Sequence, residues 1–281
     1  MKIAVSVEST NDLSKELLQK NDIKVIPYEI VLGDRTFKDG EVSTLDMFKF
    51  VDENGVLPKT NAINEFEYTE YFTELRKEYD AVVHIALSSG LSSSCGNAVR
   101  ASKNVENVYV VDSLSLSTGI GILALYAREL ADQGKDAEEI AKLVQERTEK
   151  IQCTFVIERL DYLHKGGRCS SLALFGANLL KLRPRIIVKG GKMSSDKKYK
   201  GNMVGVVGKY CAETLNEFNT PDLDKVFITY TTASPEMIES AEKAVKDAGF
   251  KNIYKMTAGG TIASHCGANT LGIIYFNDGE N

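Results

Sequence analysis

Several short stretches gather hydroxyl, amide, imidazole and guanidinium groups beside glycine. Ser88-Ser89-Gly90-Leu91-Ser92-Ser93-Ser94 follows the apolar run Ala81 to Leu87 and precedes Cys95 to Ala101. A buried strand that breaks into a Ser/Gly turn and enters a helix aims unpaired backbone N–H groups and hydroxyls at one point, which attracts anions. A serine serving as an ordinary N-cap would have the same sequence. Pro58-Lys59-Thr60-Asn61 repeats the arrangement ahead of a helix carrying Phe66, Phe72 and Leu75, and it too reads equally as a simple cap. Thr257 to Gly267 combines glycines with His265, a donor whose charge responds to a neighbouring anion. Gly166-Gly167-Arg168 is a glycine turn presenting either a bidentate anion grip or a solvated surface arginine. Lys197, Lys198 and Lys200 form a short basic run of the kind found at solvated strand ends.

Ser92 and His265 also suit the nucleophile and base of a hydrolase. No G-x-S-x-G elbow is present, however, and no acidic orienter is identifiable. Dinucleotide and P-loop fingerprints are likewise missing from the sequence.

These groups need elements to position them. Short apolar strands alternate with helices up to about residue 150, which predicts a parallel, layered α/β domain over 1–153. Lys2 to Val7, Lys24 to Val31, Ala81 to Leu87 and Val108 to Val111 read as its strands. Thr118 to Asp132 reads as a long helix whose Gly119, Gly121, Ala124 and Ala127 permit close packing. From Thr154 the order changes. A strand over Thr154 to Ile157, a hairpin around Gly190-Gly191, and mixed strands and helices to Phe276 predict a second α/β domain over 154–281 with an antiparallel pair.

A formal net charge of −5 and a hydrophobic fraction of 43% describe an ordinary globular chain. There is no global field to draw nucleic acid or an anionic membrane, so an anionic ligand needs a local cluster of donors. Five scattered cysteines suit neither a disulfide framework nor a zinc site, and reduced thiols in a cytoplasmic protein are expected. Neither a signal-peptide pattern nor a membrane-spanning apolar segment is read, so no stable membrane insertion is expected.

Taken in order, these stretches resemble the DegV family of bacterial fatty acid-binding proteins. The resemblance spans nearly the whole chain. It rests on the opening strand with Ser9 to Leu13, Pro58-Lys59-Thr60, Ser88 to Ser92, and Val111-Asp112-Ser113. It continues through Leu160-Asp161-Tyr162-Leu163 to Gly166-Gly167-Arg168, Pro184 with the Gly190-Gly191 hairpin, and the stretch ending in His265. The resemblance implies two α/β domains with a long-chain fatty acid between them. Its carboxylate would be held by Thr60, Ser92 and His265, with Asn61 and Ser93 beside them. An acyl-loaded member would present that carboxylate to a separate fatty acid kinase, which forms the acyl-phosphate, so the carrier has no ATP site and no cofactor. Arg168 and Lys200 would serve the exposed face near the carboxylate or the kinase contact. The small residues after Ser113 and the segment Leu172 to Leu180 are tunnel wall or plain core.

The chain departs from the family pattern at three places: Asn61 replaces a serine, Ser92-Ser93-Ser94-Cys95 replaces Ser-Gly-Thr-Tyr, and Lys200 stands where arginine is frequent. The competing reading is an acyl hydrolase with Ser92 as nucleophile and His265 as base. A third is a subunit resembling the dihydroxyacetone kinase fold, holding a small polar substrate.

Overall fold

A computed structural model describes residues 1–172 and 182–279. A parallel sheet has the order β2-β1-β6-β7, formed by β1 (Ile3–Glu8), β2 (Ile23–Ile26), β6 (Ala81–Ala86) and β7 (Val108–Asp112). Every residue of β1 and β6 is buried, as expected of central strands covered on both faces. A second sheet has the order β10-β9-β8-β13-β11-β12. Its strands are β8 (Ile151–Val156), β9 (Arg183–Lys189), β10 (Lys192–Tyr199), β11 (Lys225–Tyr230), β12 (Asn252–Thr257) and β13 (Leu271–Phe276). Only β11 and β12 pair in parallel there. A small antiparallel sheet, β4-β3-β5, joins β3 (Glu29–Leu32), β4 (Arg35–Lys38) and β5 (Lys59–Asn61).

The helices of the first half are α1 (Lys15–Lys20), α2 (Thr44–Asn54), α3 (Glu65–Arg76), α4 (Ser94–Ser102), α5 (Thr118–Asp132) and α6 (Ala137–Arg147). Those of the second half are α7 (Leu160–Lys165), α8 (Met203–Glu217), α9 (Pro235–Asp247) and α10 (Gly260–Cys266). Several start where the sequence supplies a cap: Ser14, Ser43, Asn64, Asp136, Asn202 and Ser234 each accept from an amide in the first turn. Residues Thr118 to Leu125 of α5 are all buried, because this helix touches β1 and β6 on one side and β8 and β13 on the other. It is the layer shared by the two large sheets. Helices α8 and α9 cover the far face of the mixed sheet with a separate core of Val207, Tyr210 and Ile228.

The sequence expectations of a parallel first half and a mixed second half hold, with local differences. Lys24 to Val31 is two strands, not one, and they lie in different sheets. Pro27 has no N–H to continue the ladder, and the chain turns there. Pro58 to Asn61 is not wholly loop, since its last part pairs with β3 as β5. The mixed sheet begins at Ile151, ahead of Thr154. The stretch Thr257 to Gly267 contains a helix, α10, where a loop was expected. Leu172 is buried; the rest of the expected tunnel segment Leu172 to Leu180 lies outside the described residues.

Candidate functional site

The site is assembled from β5, the turn after β6, the turn after α7, and α10. Side chains alternate along a strand, so Thr60 turns inward while Lys59 and Asn61 are exposed. The Thr60 hydroxyl lies 2.9 Å from His265 Nε2. Asn61 instead donates to the Glu29 carboxylate at 3.2 Å, across the small sheet.

The serine turn is tied to this strand through its neighbours. Ile63 N–H donates to Ser94 Oγ at 3.0 Å, and the Asn97 amide donates to the Ile63 carbonyl at 2.6 Å. Ser92 accepts from the buried Tyr28 hydroxyl at 3.1 Å and from Ser94 N–H at 3.2 Å. Burial pushes the Tyr28 phenol well above its ordinary range, so it remains a donor. On the other side, Ser88 donates to the Gly191 carbonyl at 2.7 Å. A Cβ at Gly90 would sit 2.4 Å from that same carbonyl, so only glycine lets the β9–β10 hairpin tip close on the turn.

His265 is oriented from the first half of the chain. Asp39 accepts from Gly260 N–H at 2.9 Å and from Thr261 N–H at 3.2 Å, and Asp12 accepts from Gly259 N–H at 2.8 Å. Two acidic side chains thus hold the N–H groups of Gly259, Gly260 and Thr261 and fix the helix that carries the imidazole. Ser117 donates to the second Asp12 oxygen. Burial raises the Asp12 pKa to about 8 despite these hydrogen bonds. Ser9 links the pieces, donating to Asp39 at 3.0 Å and accepting from Tyr28 N–H at 3.1 Å.

Burial, with a smaller contribution from the Arg168 charge, lowers the His265 pKa to about 4. The ring is therefore neutral near pH 7 and offers one donor and one acceptor. Its Nδ1 is buried without a hydrogen-bond partner and lies against Gly166, where a Cβ would come within 2.7 Å of it. Arg168 is exposed and holds the turn through the Leu91 carbonyl at 3.4 Å and the Gly166 carbonyl at 2.5 Å.

Thr60, Ser92, Ser93, Arg168 and His265 all line one cavity of about 90 Å³. Asn61 and Lys200 do not line it: Asn61 faces Glu29, and Lys200 is exposed beyond the end of β10. A smaller cavity of about 20 Å³ adjoins the first and shares Leu116, Ile262 and Cys266 with it. It is bounded by Leu116 and Ser117, ahead of α5, and by Phe155 and Ile274 of the mixed sheet. One end is thus polar, and the continuation is apolar.

Sequence reasoning did not find Tyr28, Asp12, Asp39 or Thr261. Thr261 was findable: four residues before His265, it shares a helix face with it, a pattern hidden while this stretch was read as loop. The two aspartates carry no local signal for this role, because the backbone amides they hold at α10 are more than two hundred residues away.

Over residues 2–278 the chain matches the family model described as "Uncharacterised protein, DegV family". It is 31% identical over 281 residues to a Thermotoga maritima protein named fatty acid-binding protein, covering 97% of this chain and 96% of that one. With protein DegV of Bacillus subtilis it shares 29% identity over 286 residues, 98% of this chain and 99% of the relative. Among solved structures, a DegV lipid-binding protein of Thermotoga maritima superposes with a TM-score of 0.86 at 30% identity, covering 98% of this chain and 99% of the other. A Thermus thermophilus DegV family protein, whose structure is described by its fatty acid binding, has the same fold at a TM-score of 0.89 and 24% identity, covering 98% and 99%.

Proposed function

The chain belongs to the DegV family, and from that premise we propose that it binds a long-chain fatty acid with its carboxylate against Thr60, Ser92 and His265. The observation that carries this reading is the pairing of Thr60 with His265 at the polar end of a cavity whose continuation is apolar. The acyl chain runs past Leu116, Ile262 and Cys266 into the adjoining apolar space beside Phe155 and Ile274. Each buried methylene contributes about 0.8 kcal/mol, so the tail supplies most of the affinity. The hydroxyls and the imidazole keep the buried carboxylate from being left unpaired.

The same protein presents the bound carboxylate to a fatty acid kinase in the cytoplasm and carries no catalytic group of its own. Exposed Arg168, at the cavity wall, and exposed Lys200 offer positive charge to that partner. The hydrolase reading is less well supported by the geometry. His265 Nε2 is paired with Thr60 and not with Ser92, and no carboxylate orients the partnerless Nδ1.

Native mass spectrometry of the purified protein, followed by organic extraction, tests the carrier reading. One fatty acid bound at near-unit stoichiometry is expected. A mass that stays unchanged after incubation with a panel of long-chain fatty acids overturns it, and steady turnover of a short acyl ester, abolished by Ser92→Ala, replaces it with the hydrolase.

A further inference from the structure

Thr261 lines the same cavity as Thr60, Ser92 and His265, is only 3% exposed, and has an Oγ1 with no hydrogen-bond partner among the described residues. A buried hydroxyl without a partner is unfavourable and uncommon in folded proteins. The position is not slack. Thr261 N–H is held by Asp39 at 3.2 Å, and the residue follows Gly260, whose own N–H is held by the same carboxylate. The N–H groups of Gly259, Gly260 and Thr261 are therefore already used within the protein, whereas the Thr261 hydroxyl beside them is not. Thr261 and His265 stand at i and i+4 on α10, so they share one face, and helical side chains lean toward the preceding turn. That geometry brings the imidazole over the threonine.

The structure assigns Thr261 Oγ1 as a further polar contact for the ligand's carboxylate, beside Thr60, Ser92 and His265. The assignment rests on the fatty-acid reading and extends it by one residue. It gives the orphan hydroxyl a partner only in the loaded state. Removing that hydroxyl therefore acts in opposite directions on the two states: it relieves the empty protein and weakens the loaded one.

The test uses full-length, delipidated protein and titration calorimetry with hexadecanoic and cis-9-octadecenoic acids, alongside thermal melts without ligand. Thr261→Val, which keeps the shape and removes the hydroxyl, is expected to bind about tenfold more weakly. Its ligand-free melting temperature is expected to equal or exceed that of the wild type. Thr261→Ser is expected to stay within about twofold of wild-type affinity, since it keeps the donor. Unchanged affinity in a folded Thr261→Val protein overturns the assignment while leaving the fatty-acid reading intact. If the valine variant does not fold, unchanged affinity in Thr261→Ala overturns it equally. Wild-type protein that takes up neither acid overturns the fatty-acid reading, and the assignment with it.

Discussion

Thr60 Oγ1 and His265 Nε2 lie 2.9 Å apart although 205 residues separate them in the chain. The first belongs to an edge of the small sheet and the second to a short helix, α10, that lies between β12 and β13 in the chain. Both side chains line the cavity. Each side chain also supplies the other with a hydrogen-bond partner.

This pairing predicts that the two residues do not act independently. Thr60→Val and His265→Gln are each expected to weaken fatty acid binding by about ten- to a hundredfold, the range for hydrogen bonds to a charged group. The double variant should lose less than the product of the two, because each single change already disturbs its partner. Calorimetric titration of the four proteins checks this, and strictly multiplicative losses would contradict a shared site.

Gly166 has an ordinary helical backbone conformation, with φ −66°, so substitution there costs little in backbone strain. Its Cβ would nevertheless fall 2.7 Å from His265 Nδ1 and 3.0 Å from the Tyr162 carbonyl. Gly166→Ala is therefore expected to push the imidazole away from Thr60 and reduce fatty acid affinity several-fold. The imidazole resonances of His265 in proton–nitrogen NMR spectra should shift with it. Wild-type affinity and unchanged resonances would mean that the turn yields instead.

Asp39 accepts from two backbone donors of α10 and from the Ser9 hydroxyl. Asp39→Ala should cost about 1–2 kcal/mol of stability, the range for a lost helix cap. It should also weaken ligand binding, since the helix carrying His265 loses its anchor. Denaturant unfolding and calorimetry read the two effects separately. An equal melting midpoint and equal affinity would show that water replaces the carboxylate without consequence.

Two buried groups set opposite pH responses. His265 drops from 6.5 to about 4, so between these values the unfolded chain binds more protons than the folded one, and stability rises with pH. Asp12 climbs from 3.8 to about 8, so across that window the folded protein binds more protons, and stability falls as pH rises. The two oppose each other up to about pH 6.5, above which the Asp12 contribution remains alone. Between pH 6.5 and 8, Asp12→Asn is expected to flatten the decline in melting temperature, and His265→Gln is expected to leave it in place. Parallel melting curves for Asp12→Asn and wild type across that range would contradict the assignment.

Local patterns along the chain carry the layered α/β architecture, the change from parallel to mixed sheet, and the stretches whose hydroxyl and imidazole side chains line one cavity. They do so because strand and helix periodicity, capping residues and turn glycines act over a few residues, as the boundaries of α5 illustrate. The strand character of Asn61 is not legible in the same way: pairing with β3 gives β5 an alternation that turns the Asn61 amide outward to Glu29. It takes the folded layers to bring Thr60 to His265, to set Asp12 and Asp39 against α10, and to leave the Thr261 hydroxyl unpaired among the described residues. These relationships depend on contacts across most of the chain's length, and no short-range pattern encodes which distant backbone amide a carboxylate will find once the layers close.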